Sequence, residues 1–252
     1  MKNVIALTAT AHPTRFKSLF ATVSNVLANT RNLTYTVLFN YGKQRLNLKD
    51  FKILEDLAQV NNNNLNRMHY PESMSVSQMY MDYLENCDLG NIEWWWNIDD
   101  DLIFPNESIR LIEDSIRSGV SDFYIYGCFD INNNRKHPDW DDKERDYSQI
   151  KELEDKFDAD VLPFHKWKVN SKTPILVKLP HCFVGLIAIK IKELFQCKEL
   201  VDILKGYQKG VRGWDNELSE YFEPYWIFGA TSYHIGCNDP QIDGQTWTSI
   251  NM

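Results

Sequence analysis

Apolar and polar positions along the chain switch repeatedly between a period of two and a period near four. A short apolar run at residues 4–7 predicts a strand. The polar residues 8–12 predict a turn, and Pro13 stands where a first helical turn accepts it. Phe16, Leu19, Phe20, Val23, Val26 and Leu27 then recur at helical spacing and predict one apolar stripe for packing on a sheet. The unit repeats: residues 35–39 read as a strand, and Phe51, Leu54, Leu57 and Ala58 carry a second helical stripe. After a polar turn at 61–64, a short strand near 67–70 leads into a helix over about 75–87, marked by Met79, Tyr80, Tyr83 and Leu84.

The next run, Glu93-Trp94-Trp95-Trp96-Asn97-Ile98, cannot place all its large apolar side chains on one face of a strand. Both faces must be covered, as in a central parallel strand flanked by helices. A helix is predicted to start near Asn106, a good capping residue, with Ile109, Ile112 and Ile116 inward. Residues 123–128 predict a strand, and the charged stretch 130–148 a mobile loop longer than most connections. An apolar run at 182–191, helices near 199–206 and 216–222, and a strand over 226–235 complete the chain. Alternating strands and helices with no dividing linker predict a single α/β domain around a mostly parallel, Rossmann-like sheet.

Composition narrows the functional classes. Among 252 residues, 43% are hydrophobic and 25% charged, near the soluble globular average, so neither disorder nor a fibrous repeat is indicated. A formal net charge of -8 opposes long-range attraction to a polyanion. No apolar stretch reaches membrane-spanning length and the start lacks the shape of a signal peptide, so a cytoplasmic location is expected. Cys87, Cys128, Cys182, Cys197 and Cys237 are odd in number and never form a Cys-x-x-Cys pair, which argues against a disulfide scaffold or zinc site. Trp140, Trp167, Trp214 and Trp247 fall in irregular segments, where they either stack on sugar rings or fill core.

Asp99, Asp100 and Asp101 follow directly after the predicted central strand, at the carboxyl end where open α/β sheets place their ligands. Adjacent carboxylates repel, so confining three to a short turn calls for a compensating cation or many donors. Magnesium or manganese would take one or two of these carboxylates together with the oxygens of a diphosphate. The competing reading is a solvated acidic turn that caps the next helix, but a cap needs one carboxylate close to Asn106, not three so far before it.

Residues 95–105, WWNIDDDLIFP, resemble the aspartate-x-aspartate segment of GT-A-fold glycosyltransferases, especially inverting family-two-like enzymes. Residues 4–15 resemble that family's first strand and Pro/Arg turn, and 183–189, containing Gly185, its glycine-containing acceptor-side strand. Gly213-Trp214-Asp215-Asn216-Glu217-Leu218 resembles the general-base segment, and residues 232–236, around His234, the late metal-binding histidine. The resemblance implies a GT-A-like fold with a nucleotide-sugar half over about 1–101 and an acceptor half over about 102–252. It implies donor contacts from Thr8, Arg15, Asn40, Asp99, Asp100 and Gly185, and metal ligation by Asp99, Asp101 and His234. Asp215 is the implied base, with Glu217 as its rival; Trp214 and Glu217 would meet the acceptor. Asn40 stands where the family often has an acid, and Trp214 takes the first place of an acidic pair.

The implied activity is transfer of a sugar from a nucleoside diphosphate, such as UDP, to an acceptor hydroxyl with inversion, assisted by manganese or magnesium. An imidazole ligand favours manganese. The expected acceptor is a glycan. Alternatives are transfer to hydroxymethylated bases of DNA, a metal-dependent phosphohydrolase, and sugar binding without catalysis. Thr8, Thr10 and His12 supply no first-strand carboxylate of the kind a phosphohydrolase uses.

Overall fold

The computed structural model describes residues 1–10, 15–40, 48–130, 135–137, 174–178, 186–208, 214 and 216–235. Three strand-helix units open the chain: β1 (Val4–Thr10) and α1 (Phe16–Asn29), β2 (Thr34–Phe39) and α2 (Leu48–Val60), β3 (Asn64–His69) and α3 (Val76–Asn86). They are followed by β4 (Trp94–Asn97), β5 (Leu102–Ile103), α4 (Asn106–Ser118), β6 (Phe123–Asp130) and β7 (Arg135–His137). The described chain then gives β8 (Ile175–Lys178), β9 (Ile187–Lys190), α5 (Ile191–Gln196), α6 (Lys198–Gly206), α7 (Asn216–Tyr221) and β10 (Tyr225–His234).

All ten strands form one sheet with the path β3-β2-β1-β4-β9-β6-β10-β5; β7 adds to β6 and β8 to β10. From β3 to β4 every pairing is parallel, and β6 and β10 form a further parallel ladder. Antiparallel partners lie beyond β4, starting with β9. This is the expected single-domain α/β architecture, its longest ladders parallel. The order 3-2-1-4 means that the chain turns back at β1, so β2 and β4 lie on opposite sides of it. That reversal opens a crevice at the strands' carboxyl ends.

The three tryptophans show why β4 sits in the middle. Trp94 and Trp96 enter one hydrophobic core with α1, α2 and α4, while Trp95 enters the other with α3, α5 and α6. All three are at least 95% buried. At 20–33 cal/mol per Å² of apolar surface, each such side chain contributes several kcal/mol toward a central position. The same alternation splits β1, with Val4 and Ala6 on the first face and Ile5, Leu7 and Ala9 on the second.

Several boundaries differ from expectation. Residues 8–10 continue β1 instead of turning, because Thr8 and Thr10 are buried and their backbone pairs with Val37 and Phe39. β3 begins at Asn64, within the expected polar turn, since an edge strand needs few apolar side chains. Pro105, not Asn106, takes the capping position of α4, with no side-chain cap; Asn106 is the first helical residue. α3 has the predicted start, Ser75 and Gln78 forming a reciprocal capping box. Of the loop expected at 130–148, Asp130 ends β6 and residues 135–137 form β7, paired with β6; the rest lies outside the described residues. β5, β8 and α5 had no predicted counterpart.

Candidate active site

Three neighbouring strands end at the crevice: β2 with Asn40, β1 with Thr10 and β4 with the turn carrying Asp99, Asp100 and Asp101. The site is built from what these ends leave unsatisfied. Asn40 is buried; its Nδ2 donates to the Met74 carbonyl at 2.9 Å, and its Oδ1 has no hydrogen-bond partner. Because Met74 offers only an acceptor, the amide orientation is fixed and the open atom is an acceptor too.

Asp100 is 2% exposed and accepts from Arg15 Nη1 at 2.8 Å through Oδ1. Its Oδ2 is buried without a partner, and the Thr10 hydroxyl approaches this carboxylate outside hydrogen-bond geometry. Burial pushes the Asp100 carboxyl up to about 6, the Arg15 guanidinium pulls it down, and neighbouring Asp101 raises it. Arg15 lies at the start of α1, so the first helix delivers a cation to the acidic turn.

Asp101 is also buried, and its carbonyl accepts the Ile235 amide at 2.8 Å. The following amide, of Leu102, donates to Thr22 Oγ1 of α1 at 2.9 Å. Leu102 pairs with His234 across β5 and β10, which sets the His234 backbone beside the acidic turn. Asp99 is half-buried. Tyr80 of α3 accepts from the Ala9 amide at 3.0 Å; its hydroxyl is raised well above its usual range by burial and then by the Asp99 charge.

Other expected site residues occupy less direct places. The Thr8 hydroxyl is turned into the core, 2.6 Å from the Tyr35 hydroxyl. Trp214 fills core: its ring stacks on Trp95 at 5.8 Å and 14° and lies 5.6 Å from Tyr80. Glu217 of α7 is partly buried and accepts from the Tyr207 hydroxyl at 2.8 Å. Asp215 and Gly185 lie outside the described residues. Thr10, Thr22 and Tyr80 join the site without having been singled out from the sequence. Tyr80 carried a signal, since a tyrosine in a core stripe must place its hydroxyl somewhere.

Among the described residues no three carboxylate, imidazole or thiol side chains form a metal-holding cluster. The donor types at the turn nevertheless suit a hard divalent cation, and the orphaned Asp100 oxygen marks a place where positive charge or a donor is wanted.

No protein-family model and no curated protein sequence matches this chain. Solved structures do. Staphylococcus aureus TarS 1–349 matches with a TM-score of 0.56 at 12% identity, over 92% of this chain and 60% of that one. The same fragment in complex with UDP-GlcNAc matches with a TM-score of 0.56 at 10% identity, over 92% and 58%. GalNAc-T7 with UDP, GalNAc and Mn2+ gives a TM-score of 0.62 at 14% identity, over 99% and 46%. This chain thus spans about half to three fifths of the lengths of these structures. Its α/β fold is that of GT-A-type glycosyltransferases.

Proposed function

We propose that the chain is a glycosyltransferase that takes a sugar from a nucleoside diphosphate, with the crevice between β2, β1 and β4 as its donor site. The supporting observation is the pair of buried, unpartnered oxygens on Asn40 and Asp100, two strands apart at the switch point of a GT-A fold. Leaving such atoms unpaired costs about 1–3 kcal/mol each, so a ligand bearing N–H or O–H donors is favoured there. A nucleoside diphosphate offers donors on the base and ribose and negative charge toward Arg15. In this reading residues 1–101 hold the donor and 102–252 the acceptor, with Thr8 and Gly185 supporting the donor pocket.

Asp99, Asp101 and His234 would hold a divalent cation, manganese before magnesium. When bound, it supplies electrostatic stabilisation to the leaving diphosphate. The chain's own groups do the rest. Arg15, held by Asp100, presents positive charge at the crevice. Asp215 takes the proton from the acceptor hydroxyl as that oxygen bonds to the anomeric carbon; the bond to the diphosphate breaks from the opposite side, inverting the centre. Glu217 borders the acceptor, a glycan, while Trp214, stacked on Trp95 in the core, contributes packing and not contact. No described helix is long and apolar enough to cross a membrane.

The test is a thermal-shift screen of nucleoside diphosphates and their sugar conjugates with and without manganese. Bound ligand raises the melting temperature by mass action. The expected result is stabilisation by a diphosphate that a chelator abolishes; a melting temperature unmoved by every nucleotide would overturn the proposal.

A further inference from the structure

A second concavity lies at the other end of the parallel ladders. Thr34 and Asn64 are the first residues of β2 and β3, whereas the donor crevice lies beyond the last residues of β1, β2 and β4. A six-residue strand separates the two by about 20 Å. The groove encloses about 580 Å³ between the C-terminal half of α2, the start of β3 and the turn at 88–92 that leads to β4.

Its lining mixes amide, hydroxyl and aliphatic groups with two carboxylates. Gln59, Asn64 and Asn66 contribute exposed amides, and Thr34 a hydroxyl; Ala58, Leu65, Leu89 and Ile92 supply apolar surface. Glu55 and Asp88 are its charged members, and neither lysine nor arginine lines it. Asp88 is already committed to the Gly90 amide at 3.0 Å. Asn63, also in the wall, spends its amide on the backbone of Leu27, Thr30 and Leu33, so it shapes the groove. Asn64 and Asn66 differ: two residues apart on an edge strand, they share one face at a spacing of about 6.6 Å, so both amides can meet one bound molecule.

This lining selects by exclusion. Lys52, outside the lining, approaches Glu55 only at 3.9 Å and pairs more closely with Asp56, so Glu55 and Asp88 disfavour phosphates and acidic sugars. Without an aromatic wall the groove offers a planar base no stacking partner. Amides donate and accept at once, as vicinal hydroxyls do, and the apolar side chains can meet the C–H face of a sugar ring. We infer that this groove is a binding site for a neutral saccharide, separate from the donor crevice and independent of the reaction assigned there. Affinity is expected in the millimolar range, because few contacts are buried and no ring stacks.

The test is an amide ¹H–¹⁵N titration of the full chain with maltotriose, cellotriose and chitotriose in turn, with trigalacturonic acid as the charged control. At least one neutral trisaccharide should shift the amides of Asn64, Asn66, Leu89 and Gly90. The shifts should persist in saturating UDP and vanish in N64A/N66A, whose exposed side chains can be removed without harm to the fold. The inference is overturned if no neutral probe moves these resonances, if the shifts survive in N64A/N66A, or if trigalacturonic acid binds as well. Persistence under UDP keeps the result separate from the fate of the donor-site reading.

Discussion

Two buried asparagines occupy opposite ends of the same parallel ladder, and they are satisfied in opposite ways. Asn63, just before β3, uses every polar atom of its amide: Oδ1 accepts from the Leu33 amide, and Nδ2 reaches the Leu27 and Thr30 carbonyls and the Thr30 hydroxyl. Asn40, just after β2, anchors its Nδ2 on Met74 and leaves Oδ1 buried and open. Residue type and depth are the same, so neither explains the difference. One amide closes a junction between α1, β2 and β3, where folding itself supplies the partners; the other stands at the switch point, where the strands diverge. The amide that the chain completes belongs to the architecture, whereas the acceptor left open at the strand ends is where a ligand would find a partner.

Four substitutions or conditions test this contrast, beginning with the largest effect. Asp101→Asn should lower sugar transfer about a thousandfold, measured as initial rate with saturating manganese, because a carboxylate proposed to hold the cation that offsets the leaving diphosphate's charge is lost. Its melting temperature without ligand should change little by comparison. Asn63→Leu should act in the reverse sense, destabilising the chain by about 4 kcal/mol in urea unfolding while nucleotide affinity per folded molecule stays the same. It strands the Leu33 amide and the Leu27 and Thr30 carbonyls together.

The third concerns pH in the metal-free chain. Asp100 has a folded-state value of about 6, above its unfolded 3.8, so the folded state binds the proton more tightly. Its contribution therefore favours folding at low pH and fades as pH rises from about 4 to 6, by up to about 3 kcal/mol. Urea unfolding in a chelator should show this slope in the parent chain and its absence in Asp100→Asn; an equal slope in both would assign it to other groups. The smallest effect belongs to Asn40→Leu. Removal of the open acceptor should weaken nucleotide binding about tenfold by calorimetry, with stability altered by only about 1 kcal/mol. If Asn40→Leu instead behaved like Asn63→Leu, the contrast between the two ends would be lost.

Much of the fold was legible because burial on two faces leaves a strong trace. The Trp94–Trp96 run could belong only to a covered strand, and the stripes of α1, α2 and α3 had a clear period. Elements without such a trace were missed. β5 has two residues, too few for any period, and α5 follows β9 without a break and has only six residues. Thr8 and Thr10 read as turn because their hydroxyls conceal burial that depends on distant partners, Tyr35 among them. At the site, the acidic triplet drew notice from its place after β4, but its pairing with Arg15 joins residues far apart in the sequence. The unequal environments of the three carboxylates could not be read from adjacent identical letters. Nor could the stack of Trp214 on Trp95, since it joins residues far apart in sequence.

The bond from the Ile235 amide to the Asp101 carbonyl ties the end of β10 to a turn made in the first half of the chain. β10 enters the sheet between β6 and β5, both of which precede it. During synthesis the early strands can pair while the acidic turn still lacks its late neighbour, and closing so long a loop is slow. Completion of the cleft is therefore expected late in folding. A nascent chain halted before β10 should be compact in its early half yet unable to assemble the complete cleft.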